Sequence, residues 1–226
     1  MWLLLVGTGY NAIARVEGVI SYRAFVFPGI VTMAAMFGAM LTAVSTVYDR
    51  EFGMLRLMLA SPAGVPAVLA GRAIAATAIG ALQGGLVLLF APLAVSVTVG
   101  QAAAALGALL LAAVVSAALG LVVAARLRSV ENFAGVINVV LFPLLFLSGA
   151  LYPVTTLPPI FRAVARANPV TYEVDLMRQA FGQPAEFAPL FDVGMILVAT
   201  LAALAVAALL FDPEQRLVNR TANTAA

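Results

Sequence analysis

Asp49 with Glu51 and Glu173 with Asp175 are two closely spaced carboxylate pairs ahead of the C-terminal tail. Paired acids do hydrolytic or proton-transfer work when a base, a nucleophile or a metal stands beside them. This chain has no His and no Cys, and all twelve of its basic residues are Arg, against ten carboxylates. No Ser-His nucleophile pair, thiolate, ordinary zinc site or disulfide can be assembled from that inventory, and without Lys there is no Walker A phosphate loop. An intramembrane enzyme is therefore disfavoured, and no metal or cofactor is expected on the chain itself.

The composition says what must position those acids. Of 226 residues, 64% are hydrophobic and 10% are charged, whereas a soluble domain carries roughly a quarter charged residues. The fold class is all-α, a polytopic integral membrane protein. A hydrocarbon core of about 30 Å takes roughly 20 apolar helical residues to cross, which leaves room for about six or seven spans and no separate soluble domain. The net charge is +2, but the Arg residues stand singly between apolar runs rather than on one face, which argues against nucleic acid.

Along the chain, Met1–Val6 reads as a fragment of a span, and residues 9–23 carry Arg15, Glu17 and Arg23. Ala24 to Tyr48 is the first complete charge-free span, with Pro28 near its start and small residues such as Gly38 for a neighbouring helix. Asp49-Arg50-Glu51 closes it, and Phe52 to Ala60 is a short amphipathic surface segment that Ser61-Pro62 and Pro66 are expected to break. Further spans are expected at 73–95, 101–125 and 191–211. The run 132–147 is short and holds Pro143, so it is expected to break before crossing cleanly. The Pro-rich stretch 148–189 contains a helix at 160–167 and reads as an interfacial, partly re-entrant element, and 212–226 is a polar tail.

Seven Arg (50, 56, 72, 126, 128, 216 and 220) fall on one side of this topology and five (15, 23, 162, 166 and 178) on the other. The positive-inside rule then favours a cytoplasmic 49–72 segment and C-terminus, with 148–189 outside. The apolar cores of these five runs, 132–147 included, hold no Asp, Glu or Arg, so nothing in them could carry a coupling ion, and any transport must draw its energy from another subunit. Gln83 and Asn138 are expected to bond to neighbouring helices. Gly80-x-x-x-Gly84 fits either an internal contact or a dimer seam, and Arg162 and Arg166 fit a solvated helix edge. Asp175 and Arg178, three residues apart, are expected to form an exposed pair of small energetic worth.

The stretch Tyr48 to Pro62 combines an acidic start with exposed apolar residues, which suits docking, and it resembles the cytoplasmic coupling region of type-2 ABC transporter permeases. Glu51, Gly53, Ser61 and Pro62 match that pattern. A second signature of the same family is present in Phe146-Leu147-Ser148-Gly149-Ala150-Leu151-Tyr152-Pro153, then Leu157-Pro158, then Asn168-Pro169-Val170-Thr171-Tyr172 and Asp175 through Arg178. The resemblance covers about residues 20–211. It implies six spans, and the chain is expected to open inside the first of them.

The resemblance further implies a permease subunit, of the drug and polysaccharide exporter class, in the bacterial cytoplasmic (inner) membrane. It would pair with a second permease copy and bind a separate nucleotide-binding ATPase that holds the ATP and Mg. Asp49, Arg50, Glu51, Phe52, Gly53, Arg56, Ser61 and Pro62 would form the coupling site, with Glu51 at the N-terminus of the coupling helix. Ser148, Gly149, Pro153, Pro158, Asn168, Pro169, Tyr172, Asp175 and Arg178 would form the external motif. The alternative is a membrane scaffold or assembly protein without transport activity, and the substrate is not specified by these residues.

Overall fold

The computed structural model describes residues 22–59, 64–127 and 129–224, with residues 212–224 described by backbone alone. Nine α-helices and no strand occur among them. They are α1 (Tyr22–Thr42), α2 (Val44–Glu51), α3 (Met54–Leu59), α4 (Gly64–Leu88), α5 (Val99–Arg126), α6 (Val130–Phe146), α7 (Pro159–Ala167), α8 (Pro169–Ala180) and α9 (Pro189–Thr224). Short 3-10 turns lie at Ala91–Leu93 and Val154–Thr156.

Four stretches among the described residues are long and apolar enough to cross a bilayer: Tyr22–Glu51, Gly64–Leu93, Val99–Arg126 and Pro189–Phe211. The first and third are mostly buried inside the protein, whereas the second and fourth turn most of their surface outward. Ile74, Leu82, Leu201 and Leu209 accordingly stand exposed on α4 and α9, the surface a lipid-facing helix presents. The α6 helix is one residue short of that length class. Its 17 residues span about 25 Å at a rise of about 1.5 Å per residue. It nevertheless runs unbroken, because Pro143 stands in its last turns, where the missing N–H removes only the bond to the Val139 carbonyl.

Prolines explain several other boundaries. Pro159, Pro169 and Pro189 each open a helix, where the fixed φ is already helical and the absent N–H has no partner to lose. Pro66 does the same within the first turn of α4, so it helps start that helix, contrary to the expectation that it would end the preceding segment. Pro28 inside α1 cannot bond to the Ala24 carbonyl, and the Gln183 side chain donates to that carbonyl instead, at 2.7 Å. Thr98 and Gln101 form a reciprocal capping box at the start of α5. The α9 helix continues by backbone through the expected polar tail to Thr224.

The helices alternate between two ends. Arg50 at the end of α2 meets the C-terminus of α5 and the Phe211 ring of α9, and Glu51 meets the start of α6. At the opposite end Tyr22 reaches Leu151, Gln101 reaches Phe181 and Asn168 reaches Leu144 near the end of α6. These are named below the Arg50 end and the Arg178 end. The α1 and α4 helices pack most closely. A methyl group at Gly80 would lie 2.7 Å from the Ala35 carbonyl, and one at Gly84 would run into Leu109 Cδ1. Both glycines are spent on contacts inside this chain, which resolves the Gly80/Gly84 alternative in favour of the internal seam.

Candidate functional sites at the two ends

At the Arg50 end, α2 stops because Gly53 adopts φ +78°, a left-handed conformation, with open space where a Cβ would stand. The chain then turns into α3. Leu55 plugs a cluster formed by Val65, Leu69, Leu121, Ala207 and Phe211, while Phe52 is 74% exposed and Leu57 68%, with Met54 also open. Tyr48 stacks on Phe52, with ring centroids 6.2 Å apart. One buried anchor thus holds a short helix whose Met54 and Leu57 side chains are left largely open by the chain.

The charged residues around this turn bind inward. Arg50 Nη1 donates to the carbonyls of Ala124 at 2.8 Å and Leu127 at 2.5 Å, satisfying acceptors at the C-terminus of α5 and placing a cation at its negative pole. Glu51 Oε2 accepts from the Val130 N–H at 3.2 Å, an anion at the positive pole of α6. Asp49 Oδ2 pairs with Arg72 Nη2 at 2.6 Å, and Arg72 also donates to Thr46 Oγ1 at 2.8 Å. An open cleft of about 340 Å³ lies beside this pair, lined in part by Ser45, Met58 and Gly71. Glu51 therefore does not begin a coupling helix, as the resemblance implied. It is the last residue of α2 and caps α6, because Gly53 breaks the helix between it and α3. The Arg56 side chain and the residues Ser61 and Pro62 lie outside the described residues.

At the Arg178 end the polar groups of α8 are interior. The α8 helix packs against α1, α5 and α9, and it carries Glu173, Asp175 and Arg178 into that contact at 0%, 4% and 7% exposure. Asn168 caps α8 through Val170 N–H at 3.0 Å and, with its Nδ2, donates to the Leu144 carbonyl at 2.6 Å. Ser148 Oγ donates to Leu145 O at 2.7 Å and accepts from Ala150 N–H at 3.2 Å. Gly149, at φ +80°, leaves no room for a side chain, since a Cβ would lie 2.8 Å from Val154 Cγ2. Its carbonyl accepts from Arg178 Nη2 at 2.5 Å, and the Arg178 guanidinium lies 4.1 Å from the centroid of the Phe25 ring. Pro153 precedes a 3-10 turn, Pro158 precedes α7 and Pro169 opens α8. Tyr172 donates to the Arg166 carbonyl at 2.5 Å and packs on Phe187 and Phe191. All the residues of the second sequence signature thus gather at one end.

Two expectations are corrected here. Asp175 and Arg178 are buried rather than exposed, and they bond to other groups: Asp175 accepts from the Glu186 and Phe187 N–H groups at 2.9 Å each, while Arg178 holds Gly149. Helical spacing puts the pair within electrostatic reach, but each side chain turns to the backbone loop nearest it. The second correction concerns ionisable groups between the spans. Charge-free span sequences left Glu173 out of account, yet α8 lays it against Ser116 of α5, at 3.5 Å. Asp192 at the mouth of α9 is also fully buried and accepts from Gln179 Nε2 at 2.5 Å. Sequence reasoning missed Ser116, Gln179 and Gln183 as partners; the one signal available was Pro28, which strands a carbonyl and so calls for a side-chain donor without naming it.

Burial pushes the Glu173 carboxyl well above its usual range, opposed only by its hydrogen bond to Ser116. Burial likewise lowers Arg178 to about 10, with Asp175 and then Glu186 acting against it, so it remains a cation at neutral pH. Burial also raises Tyr172, and the Asp192 carboxylate adds to that effect. Arg162 and Arg166 serve the surface, Arg162 donating to the Thr155 and Leu157 carbonyls and Arg166 pairing with Glu186 at 3.4 Å. Gln83 is exposed and overlies Gly38 without a hydrogen bond among the described residues, and the Asn138 side chain is outside them.

Residues 1–181 match the ABC-2 type transporter family. This chain belongs to that family. It is 30% identical over 192 residues to Nodulation protein J of Rhizobium leguminosarum bv. trifolii, covering 79% of this chain and 69% of the relative. The identity is 31% over 204 residues to Nodulation protein J of Rhizobium leguminosarum bv. viciae, covering 81% and 72%. It is 28% over 166 residues to the inner membrane transport permease YadH of Escherichia coli K12, covering 71% and 63%. This ABC-2 chain is a multi-pass transport permease subunit and not the catalytic one. Permeases of the family normally work with an ATPase subunit.

Proposed function

We propose that this ABC-2 permease forms an outward transport path in the bacterial cytoplasmic membrane, paired with a second permease chain and driven by a separate ATPase that binds ATP and magnesium. The family arrangement of six spans is part of that reading, as are a cytoplasmic 49–72 segment and tail and an external 148–189 segment. The observation that carries it is the pairing of an open apolar face with a clamp. Phe52, Met54 and Leu57 point away from the chain, while Arg50 and Glu51, immediately before them, hold α5, α9 and α6.

A partner that grips α3 would displace the Gly53 turn. The displacement passes through charge-assisted hydrogen bonds, about twice as strong as neutral ones, into the ends of α5 and α6, and through the Arg50 contact with the Phe211 ring into α9. The apolar residues serve binding and the charged pair serves transmission. The test is co-purification with a nucleotide-binding ATPase and measurement of substrate-stimulated hydrolysis in proteoliposomes. Phe52→Ser with Leu57→Ser should lose the ATPase, whereas Arg50→Ala should keep it and lose stimulation. No ATPase on the wild-type chain would leave the scaffold reading in place. Since the chain has no Cys, an impermeant thiol reagent on intact cells should label Thr155→Cys and spare Ser61→Cys; the opposite pattern inverts the topology.

A further inference from the structure

Glu173 is a carboxyl without a counter-charge. It is 0% exposed, its one hydrogen-bonding neighbour is Ser116 Oγ at 3.5 Å, and its Oε1 has no partner among the described residues. An ionised carboxylate in such a place is strongly disfavoured unless a cation or several donors compensate it. None does among the described residues. The α5 helix presents Ser116 and carries no charge before Arg126; α1 carries none between Arg23 and Asp49. The α9 helix brings Asp192, an acid already bonded to Gln179. On α7, Arg162 binds loop carbonyls and Arg166 pairs with Glu186. On α8 itself, Asp175 serves the 186–187 backbone and Arg178 serves Gly149 and Phe25.

We propose that Glu173 is a proton-binding site at the α5–α8 contact: the carboxyl holds a proton while α8 is seated in the bundle and releases it when α8 withdraws to water. A proton on the carboxyl turns the Ser116 contact into one it can donate to, and it removes the buried charge. The burial of the acid acts in the same direction, since it pushes the affinity for protons up. The equilibrium is Glu173-COOH seated against Glu173-COO⁻ plus one H⁺ withdrawn, so each chain releases one proton per opening. Rising pH therefore favours withdrawal, by up to about tenfold in the open-to-seated ratio per pH unit between the water-exposed and seated affinities. The site is independent of ATPase docking, which lies at the other end.

The experiment uses the full chain in lipid nanodiscs. Infrared difference spectra of wild type minus Glu173→Gln at neutral pH should contain the C=O band of a protonated carboxylic acid, shifted in D2O, and Ser116→Ala should move that band. Its absence at neutral pH, or its persistence in Glu173→Gln, would overturn the proposal. Seating is read separately by an impermeant maleimide on Val174→Cys, a buried α8 position. The labelling rate should rise with pH more steeply than in the Val174→Cys, Glu173→Gln double variant, approaching an extra tenfold per unit. Equal pH dependence in the two backgrounds would sink the linkage.

Discussion

The two ends of this bundle treat charge in opposite ways. At the Arg50 end Arg50 and Glu51 reach sideways to helix termini, and Met54 and Leu57 of α3 are left open around the buried Leu55. At the Arg178 end the apolar and charged side chains of α8 alike are packed inside, among α1, α5 and α9. A helix terminus is a partial charge that an ion near the surface can meet cheaply, so the first end can carry ions that are only partly buried. A helix inserted between spans has no such choice. Each polar group it brings must find a donor or acceptor inside the protein or lose its charge. The first arrangement suits a surface that engages and releases a partner; the second suits an element that is either seated or not.

Four measurements test that contrast. The largest effect is expected for Arg178→Ala, which removes the donor to Gly149 and the cation over Phe25 and leaves Asp175 without its nearby cation. A loss of about 3 kcal/mol in stability is expected, read as a lowered unfolding temperature in detergent, and a change under about 0.5 kcal/mol would mean that the interior at this end is wet and tolerant.

Gly149→Ala and Gly53→Ala come next and compare the ends directly, because both glycines have nearly the same φ, +80° and +78°. Left-handed backbone costs any L residue about 1–2 kcal/mol. At Gly53 that is the whole cost, while at Gly149 the Val154 side chain must also shift. Gly149→Ala should therefore destabilise more, and equal losses would show that the packing around Gly149 yields freely.

The third measurement is pH. Glu173 binds its proton more tightly when buried than in the unfolded chain, whose ordinary value is 4.5. The stabilisation this represents is fully present below that value and is lost as pH rises toward the raised one. Stability should fall with rising pH by up to about 1.4 kcal/mol per unit across that window, and Glu173→Gln should flatten the profile. The smallest effect is expected for Glu51→Gln, which takes one exposed anion from the start of α6 and should cost about 0.3–1 kcal/mol. A loss as large as that of Arg178→Ala would contradict the contrast between the ends.

The legible part of the fold was the part written in long apolar runs. The spans at Ala24–Tyr48, 101–125 and 191–211 fall on α1 with α2, α5 and α9, since a run of about 20 apolar residues has few other stable arrangements. Boundaries were less legible. Pro66 could be read as ending one segment or starting the next, and only the position of Gly64 and the packing of Val65 and Leu69 against Leu55 decide it. The Gly80 and Gly84 faces were ambiguous because a small-residue stripe marks a close contact without naming the partner.

Legible along the chain alone were the membrane fold class, a residue inventory without His, Cys or Lys, and the family, through two motifs whose described residues gather at the two ends. The fate of the charges depended on tertiary packing. Asp175 and Arg178 looked like an exposed helical pair, and Glu173 like an acid outside the apolar spans. Sequence spacing reports neighbours on one helix, whereas the cost of a charge depends on what every other helix places around it. Because α8 folds back between spans whose middle stretches are free of charge, a carboxyl from a polar stretch comes to rest beside Ser116, and no reading along the sequence contains that distance.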